Sequence, residues 1–188
     1  MITDLKHYIH HLPSFIDEQT CDKTVREMNN ISFREHQFYN PVTKNYAPRS
    51  GSQELSMSWD EVTTKKFIQK RLWNAIASYI EFIDVPWFSS WSGYTHIRFN
   101  KYAENKKMAL HCDHIHSMFE GERKGIPILS VLGALNDDYE GGEFVMFDDY
   151  EIKFNKGDVI IFPSIFLYPH KVEPVTKGTR YSYISWVW

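Results

Sequence analysis

The stretch HCDHIH, His111 to His116, places three imidazoles and one carboxylate within six residues. Imidazole nitrogens and carboxylate oxygens are common donors to transition-metal ions, so the first question is which of the four could share one cation. In an extended strand successive side chains alternate faces. His111 and Asp113 then project together, Cys112 and His114 project the other way, and H-x-D on a strand is a ready two-donor edge. His116 would share the face of Asp113 but lie roughly 10 Å further along at the usual rise, a rim position rather than a ligand. An H-x-D pair alone is far more often a surface or hydrogen-bonded pair than a metal site. It becomes a metal site only with a third donor held by the same scaffold.

A third donor is available at His170. KGDVIIFPS (156–164) reads as a Gly-Asp turn feeding a buried strand that Pro163 ends, and GTRYSYISWVW (178–188) opens another strand carrying Arg180, so His170 falls where strands resume. Two imidazoles and one carboxylate leave adjacent coordination positions open, the facial arrangement of non-haem Fe(II) sites for O2 chemistry. Structural zinc would take four protein ligands, usually with thiolates. His96 has no such register and reads as an ordinary strand histidine.

With HCD at 111–113, YEGGEFVMF at 139–147, KGDVIIFP at 156–163, PHKVEPVTKGTR at 169–180 and the closing SWVW, residues 94–188 resemble the Fe(II)/2-oxoglutarate-dependent dioxygenases, in particular their prolyl 4-hydroxylase-like branch. The N-terminal half matches only loosely. The resemblance implies His111, Asp113 and His170 as iron ligands and catalytic residues. It puts Arg180 where the family pairs a basic residue with the distal carboxylate of 2-oxoglutarate, a task that suits a planar guanidinium. Tyr102, Ser182 and Trp186 match further positions lining the cosubstrate or lying near the iron. As residues alone, Tyr102 and Trp186 read as core aromatics and Ser182 as a hydroxyl satisfying backbone, and only the register of the resemblance raises them; Gly141, Gly142 and Gly157 are turn glycines. One departure concerns LGALN (132–136): some relatives carry a tyrosine before the Leu-Asn, and this chain has Ala134 there. The contact that tyrosine makes to 2-oxoglutarate must come from elsewhere or be absent.

What the resemblance implies in activity is hydroxylation of an unactivated C–H bond, with Fe(II), 2-oxoglutarate and O2 as cofactor and cosubstrates, ascorbate as an auxiliary, and succinate and CO2 released. Asp113 stands where halogenating relatives have a small residue, which favours hydroxylation. The branch points to a protein or peptide substrate, proline first. The same chemistry on a free amino acid, small metabolite or nucleobase is the alternative within enzymes; a non-catalytic β-barrel that binds a metal or ligand is the alternative outside them. Segments 31–57 and Ser117 to Pro127 read as lids or as ordinary surface loops.

These groups must be positioned by a chain whose two halves differ in pattern. Cys21, Val25 and Met28 recur at helical spacing after Asp17, an N-cap residue, and predict a helix ending near Asn29-Asn30. Ser58-Trp59-Asp60-Glu61 has the S-x-x-E form of a capping box and predicts a second helix, with Ile68, Leu72, Ile76, Tyr79 and Ile80 on one face, running to about Ile83. Beyond Pro86 come short β-branched and aromatic runs between turn residues. The expected fold is mainly β with N-terminal helices: a double-stranded β-helix, a cupin-like jelly roll, of about 86–188, buttressed by helical support in about 1–85, one domain over 1–188.

Composition narrows the function classes. The 188 residues are 43% hydrophobic and 16% aromatic, enough for a packed core without disulfides. A net charge of −3 gives no broad positive field for extended nucleic acid or for an anionic membrane. Two cysteines, no apolar leader and no long apolar span point to a reducing, cytoplasmic setting. Oligomeric state is left open.

Overall fold

The computed structural model describes residues 3–188 except 41–42, 44, 49–52, 87, 89–90 and 114–126. Asp17 opens the first helix, α1 (Glu18–Met28), by accepting the Thr20 amide at 2.8 Å and the Thr20 hydroxyl at 2.7 Å. The second, α2 (Lys65–Ile83), buries Ile68, Leu72, Ile76 and Tyr79 as the spacing predicts. Its start corrects the capping-box expectation. Ser58 lies in a strand, its Oγ accepts the Asp60 amide at 3.2 Å, and the N-cap is Thr64, which makes no side-chain cap. Sheet pairing of Ser58 with Phe99 holds its backbone extended, which overrides the local cap signal. Asp84, left-handed at φ +43, ends the helix before Pro86.

The described residues form fifteen strands, numbered in chain order: β1 (His10–Leu12), β2 (Arg34–Glu35), β3 (Phe38–Asn40), β4 (Asn45–Ala47), β5 (Ser56–Ser58), β6 (Arg98–Tyr102), β7 (Met108–His111) and β8 (Leu129–Ala134). The rest are β9 (Glu140–Gly141), β10 (Phe144–Met146), β11 (Tyr150–Ile152), β12 (Val159–Pro163), β13 (His170–Val172), β14 (Val175–Lys177) and β15 (Arg180–Val187). A seven-stranded sheet runs β1-β12-β8-β15-β6-β5-β2, and a four-stranded sheet runs β11-β10-β13-β7. Part of the segment expected as a lid, β2 and β5, is thus the edge of the large sheet. The other expected lid, 117–127, lies outside the described residues but for Pro127.

Strand alternation divides the large sheet into two faces. Val131, Val159, Ile161, Tyr181, Tyr183 and Val187 join Ile68, Leu72, Ile76 and Tyr79 in one core beneath the helices. Leu132, Ile160, Phe162, Ile184 and Trp186 point the other way, to Phe144, Met146 and Val172 of the small sheet. Each fully buried aliphatic or aromatic side chain is worth about 1.5–3 kcal/mol, so both faces of the large sheet are firmly committed. Two antiparallel sheets with their inner faces packed together make a jelly roll, helices covering the outside of the larger sheet. No helix among the described residues is long and apolar enough to cross a membrane.

Candidate metal centre

β13 pairs with β7 so that His170 stands directly opposite His111, their ring centroids 4.3 Å apart. Each Nδ1–H donates to a backbone carbonyl two residues earlier: His111 to Ala109 at 2.8 Å, His170 to Tyr168 at 3.1 Å. Those bonds fix the ring orientation and leave both Nε2 lone pairs free, the device commonly seen behind metal-binding imidazoles.

Both Nε2 atoms approach one oxygen. His111 Nε2 lies 3.3 Å and His170 Nε2 3.7 Å from Asp113 Oδ1. The three residues form the one cluster of potential metal ligands among the described residues, with donor atoms within 4.8 Å of one another. Strand alternation is not what aims the carboxylate, because β7 ends at His111 and Asp113 sits beyond the strand. What orients it is the opposite sheet. Ser130 Oγ of β8 donates to Asp113 Oδ2 at 2.6 Å, and Ser164 donates in turn to Ser130 at 2.8 Å.

The electrostatics suit a cation. Burial opposes the charge on Asp113, but the His170 and His111 rings and the Ser130 hydroxyl outweigh it and hold the carboxyl well below its usual range. Burial, reinforced by His111 and opposed by Asp113 and the Tyr168 carbonyl, pushes His170 down to about 4, so its imidazole is neutral at physiological pH. A charged carboxylate and a neutral imidazole are the protonation states that bind metal.

On the facing sheet Arg180 is 1% exposed, the largest fully buried side chain among the described residues. It stands opposite Tyr102 in the β15–β6 pairing, its guanidinium carbon 5.0 Å from the Tyr102 ring and 5.8 Å from that of Phe154. Nη1 donates to Ser182 Oγ at 3.3 Å, while Nη2 is buried without a hydrogen-bond partner. Gly142, at φ +68, makes room for it: a Cβ there would come within 3.2 Å of Arg180 Cδ. A buried guanidinium with an unused N–H edge and no ion pair among the described residues is costly in isolation and fits the carboxylate of a small anionic ligand.

Of the positions singled out in the sequence, His111, Asp113 and His170 come together, and Arg180, Tyr102 and Ser182 form one group on the facing sheet. Trp186 lies on the same inner face, buried, its Nε1 without a partner. Cys112 is half-buried outside the cluster, and His96 is exposed. His114 and His116 lie outside the described residues. Ala134, where some relatives have tyrosine, is on the inner face opposite Ser182. Sequence reasoning missed Ser130, for which a lone serine inside the apolar run ILSVLGAL was a usable signal.

Residues 97–188 match the family model of the 2OG-Fe(II) oxygenase superfamily. A PKHD-type hydroxylase of Xylella fastidiosa is 37% identical over 107 residues, covering 48% of this chain and 43% of the relative. Another from Idiomarina loihiensis is 30% identical over 139 residues, covering 72% and 58%. The chain thus spans about half the length of these relatives. Among solved structures, a Pseudomonas putida prolyl-4-hydroxylase is similar at a TM-score of 0.66 and 16% identity, over 96% of this chain and 92% of that one. A Trichoplax adhaerens prolyl hydroxylase in complex with a hypoxia inducible factor peptide fragment reaches 0.72 and 16%, over 97% and 84%. At such identities the likeness is one of fold.

Proposed function

We propose, from the match of residues 97–188 to the family model of the 2OG-Fe(II) oxygenase superfamily, that the chain is an Fe(II)- and 2-oxoglutarate-dependent oxygenase hydroxylating a peptidyl side chain, proline first. The observation that carries this reading is the pairing of two half-sites across the jelly roll. Two imidazole Nε2 atoms converge on Asp113 Oδ1, and a buried arginine with a free Nη2 stands on the facing sheet. The hydroxylase names of the curated relatives and the peptide bound by the Trichoplax enzyme support the substrate class. A cytoplasmic setting belongs to the same reading, supported by Cys21 and Cys112 both being free thiols.

His111, Asp113 and His170 would hold the iron, Asp113 supplying the negative charge and the two histidines neutral nitrogen. Bound there with 2-oxoglutarate and O2, the iron supplies the oxidising power that cleavage of an unactivated C–H bond requires. The chain's residues position and exclude. Arg180 takes the far carboxylate of 2-oxoglutarate, Ser182 steadies its guanidinium through Nη1, and the Tyr102 ring packs against its face. Leu132, Phe144, Met146, Phe162 and Ile184 make an apolar wall that keeps water from the reacting centre.

The test is anaerobic titration of the chain with Fe(II) and then 2-oxoglutarate, following the weak visible charge-transfer band of the chelate. Admission of O2 with a proline-containing peptide is followed by a succinate assay. The band and succinate are expected; absence of both overturns the reading.

A further inference from the structure

Four residues before Tyr102 on β6 stands Arg98, a second cation that neither the metal cluster nor the Arg180 group uses. Strand alternation puts Arg98, Asn100 and Tyr102 on the inner face, opposite Ile184, Ser182 and Arg180. The Arg98 guanidinium carbon is 5.0 Å from the Trp186 ring and 5.9 Å from the Trp59 ring. Trp59 is in turn 5.0 Å from the guanidinium carbon of Arg34, so two arginines and two indoles alternate from the β2 edge inward. Trp186 opposes Ser130 in the β15–β8 pairing, and Ser130 holds Asp113. Arg98 therefore stands one indole away from the support of the metal cluster.

The contacts of Arg98 include no ion pair among the described residues. Nε donates to Asn100 Oδ1 at 3.1 Å and Nη1 to the weak acceptor Met57 Sδ at 3.9 Å. Among the described residues Nη2 has no acceptor and no carboxylate pairs with the group. Burial lowers its pKa, with Tyr102 and Asp113 opposing, yet an arginine does not lose its proton under such pressure. A half-buried, charged guanidinium with an open N–H edge, packed on aromatic rings, is organised for a planar anion. In the reading proposed above Arg180 takes the cosubstrate, which leaves Arg98 for an anion carried by the other reactant.

We infer that Arg98 binds a carboxylate on the substrate, either the α-carboxylate of a free or C-terminal residue or the side chain of an acidic residue beside the one hydroxylated. Arg34 and Trp59 form the outer part of the same path. The inference rests on the oxygenase reading and adds to it a requirement on the substrate's charge.

Calorimetric titration of the chain loaded with Mn(II) and 2-oxoglutarate tests it with two matched pairs of probes. N-acetyl-L-proline is compared with its amide, and acetyl-Pro-Asp-amide with acetyl-Pro-Asn-amide. In the unaltered chain at least one carboxylate probe binds about tenfold more tightly than its neutral partner, and the pair that discriminates identifies the source of the carboxylate. In Arg98→Met the ratio falls to near one while 2-oxoglutarate binding is unchanged. Should that variant not fold, Arg98→Lys decides, with a reduced preference expected and an unchanged one overturning the assignment. Equal affinity within both pairs, a preference that survives Arg98→Met, or loss of 2-oxoglutarate binding in that variant also overturns it. If the unaltered chain binds no 2-oxoglutarate, it is the oxygenase reading that falls.

Discussion

Ser130 Oγ donates to Asp113 Oδ2 at 2.6 Å from the opposite sheet, so the carboxylate of the H-x-D pair is oriented by β8 and not by the strand that precedes it. The bond occupies Oδ2 and leaves Oδ1 for the two imidazoles. Orientation of a ligand by a second group of this kind commonly governs metal affinity.

Ser130→Ala should therefore weaken Mn(II) binding by about 10- to 100-fold while His111, Asp113 and His170 all remain. It also leaves Oδ2 and the Ser164 hydroxyl without their partner in a buried place, at about 1–3 kcal/mol. Metal titration and urea unfolding measure the two effects separately; unchanged metal affinity would mean that Ser130 does not orient the ligand.

Replacing Arg180 by methionine keeps much of the side-chain volume and removes the guanidinium. Affinity for 2-oxoglutarate should fall about 10- to 100-fold, the worth of hydrogen bonds to a charged group. Mn(II) affinity should stay within about threefold, because Arg180 contacts none of His111, Asp113 and His170. Normal 2-oxoglutarate affinity in the variant would remove Arg180 from the site.

Metal-free protein should lose stability in acid before its carboxylates titrate. His170 takes its proton near 4 when folded and near 6.5 when unfolded. Between those values the unfolded chain binds more protons, so stability falls as pH is lowered, by on the order of 3 kcal/mol, and this loss is complete below about pH 4. Asp113, held down in the folded state, adds a further loss at lower pH still. Urea midpoints of chelator-treated protein between pH 7 and 4.5 should show the slope, and His170→Gln should flatten it; identical slopes would refute His170 as its origin.

Gly133 of β8 stands opposite Tyr183 of β15 in the large sheet. A Cβ there would lie 2.0 Å from Tyr183 Cζ, and Tyr183 is fully buried, so its ring cannot swing aside. Gly133→Ala should cost at least about 2 kcal/mol. A thermal or urea midpoint near that of the unaltered chain would show that the sheet accommodates the methyl.

The two thiols should differ in reactivity. Burial, reinforced by Asp17 and Asp22, pushes Cys21 up to about 12, whereas Cys112 is half-buried next to the metal ligand Asp113 proposed above. Iodoacetamide at pH 8 should modify Cys112 and spare Cys21, read by peptide mass. Equal labelling would place α1 in frequent local opening.

Several features were legible in the chain because they depend on local rules. The Asp17 cap, the buried face of α2 from Ile68 to Tyr79, and the alternation of the C-terminal strands all arise within a few residues of one another. So did the motif order that marks residues 94–188, since His111, Asp113, His170 and Arg180 keep their spacing along the chain. The capping box at Ser58 shows the limit. Its local signal was sound, and pairing of β5 with β6 took the serine into a sheet instead.

By itself, then, the sequence determined which residue types were available as ligands and which strands had two apolar faces, because side-chain alternation and helical period are properties of the backbone. Tertiary structure alone decided the rest. It brought His170 opposite His111 across a strand pairing, supplied Ser130 from the other sheet to aim Asp113, and left Arg180 Nη2 buried without a partner. It also stacked Arg98 between Trp59 and Trp186. Each of these depends on residues far apart in the chain meeting in the space between two sheets, and on the cost of burying a polar group there, which no spacing along the chain encodes.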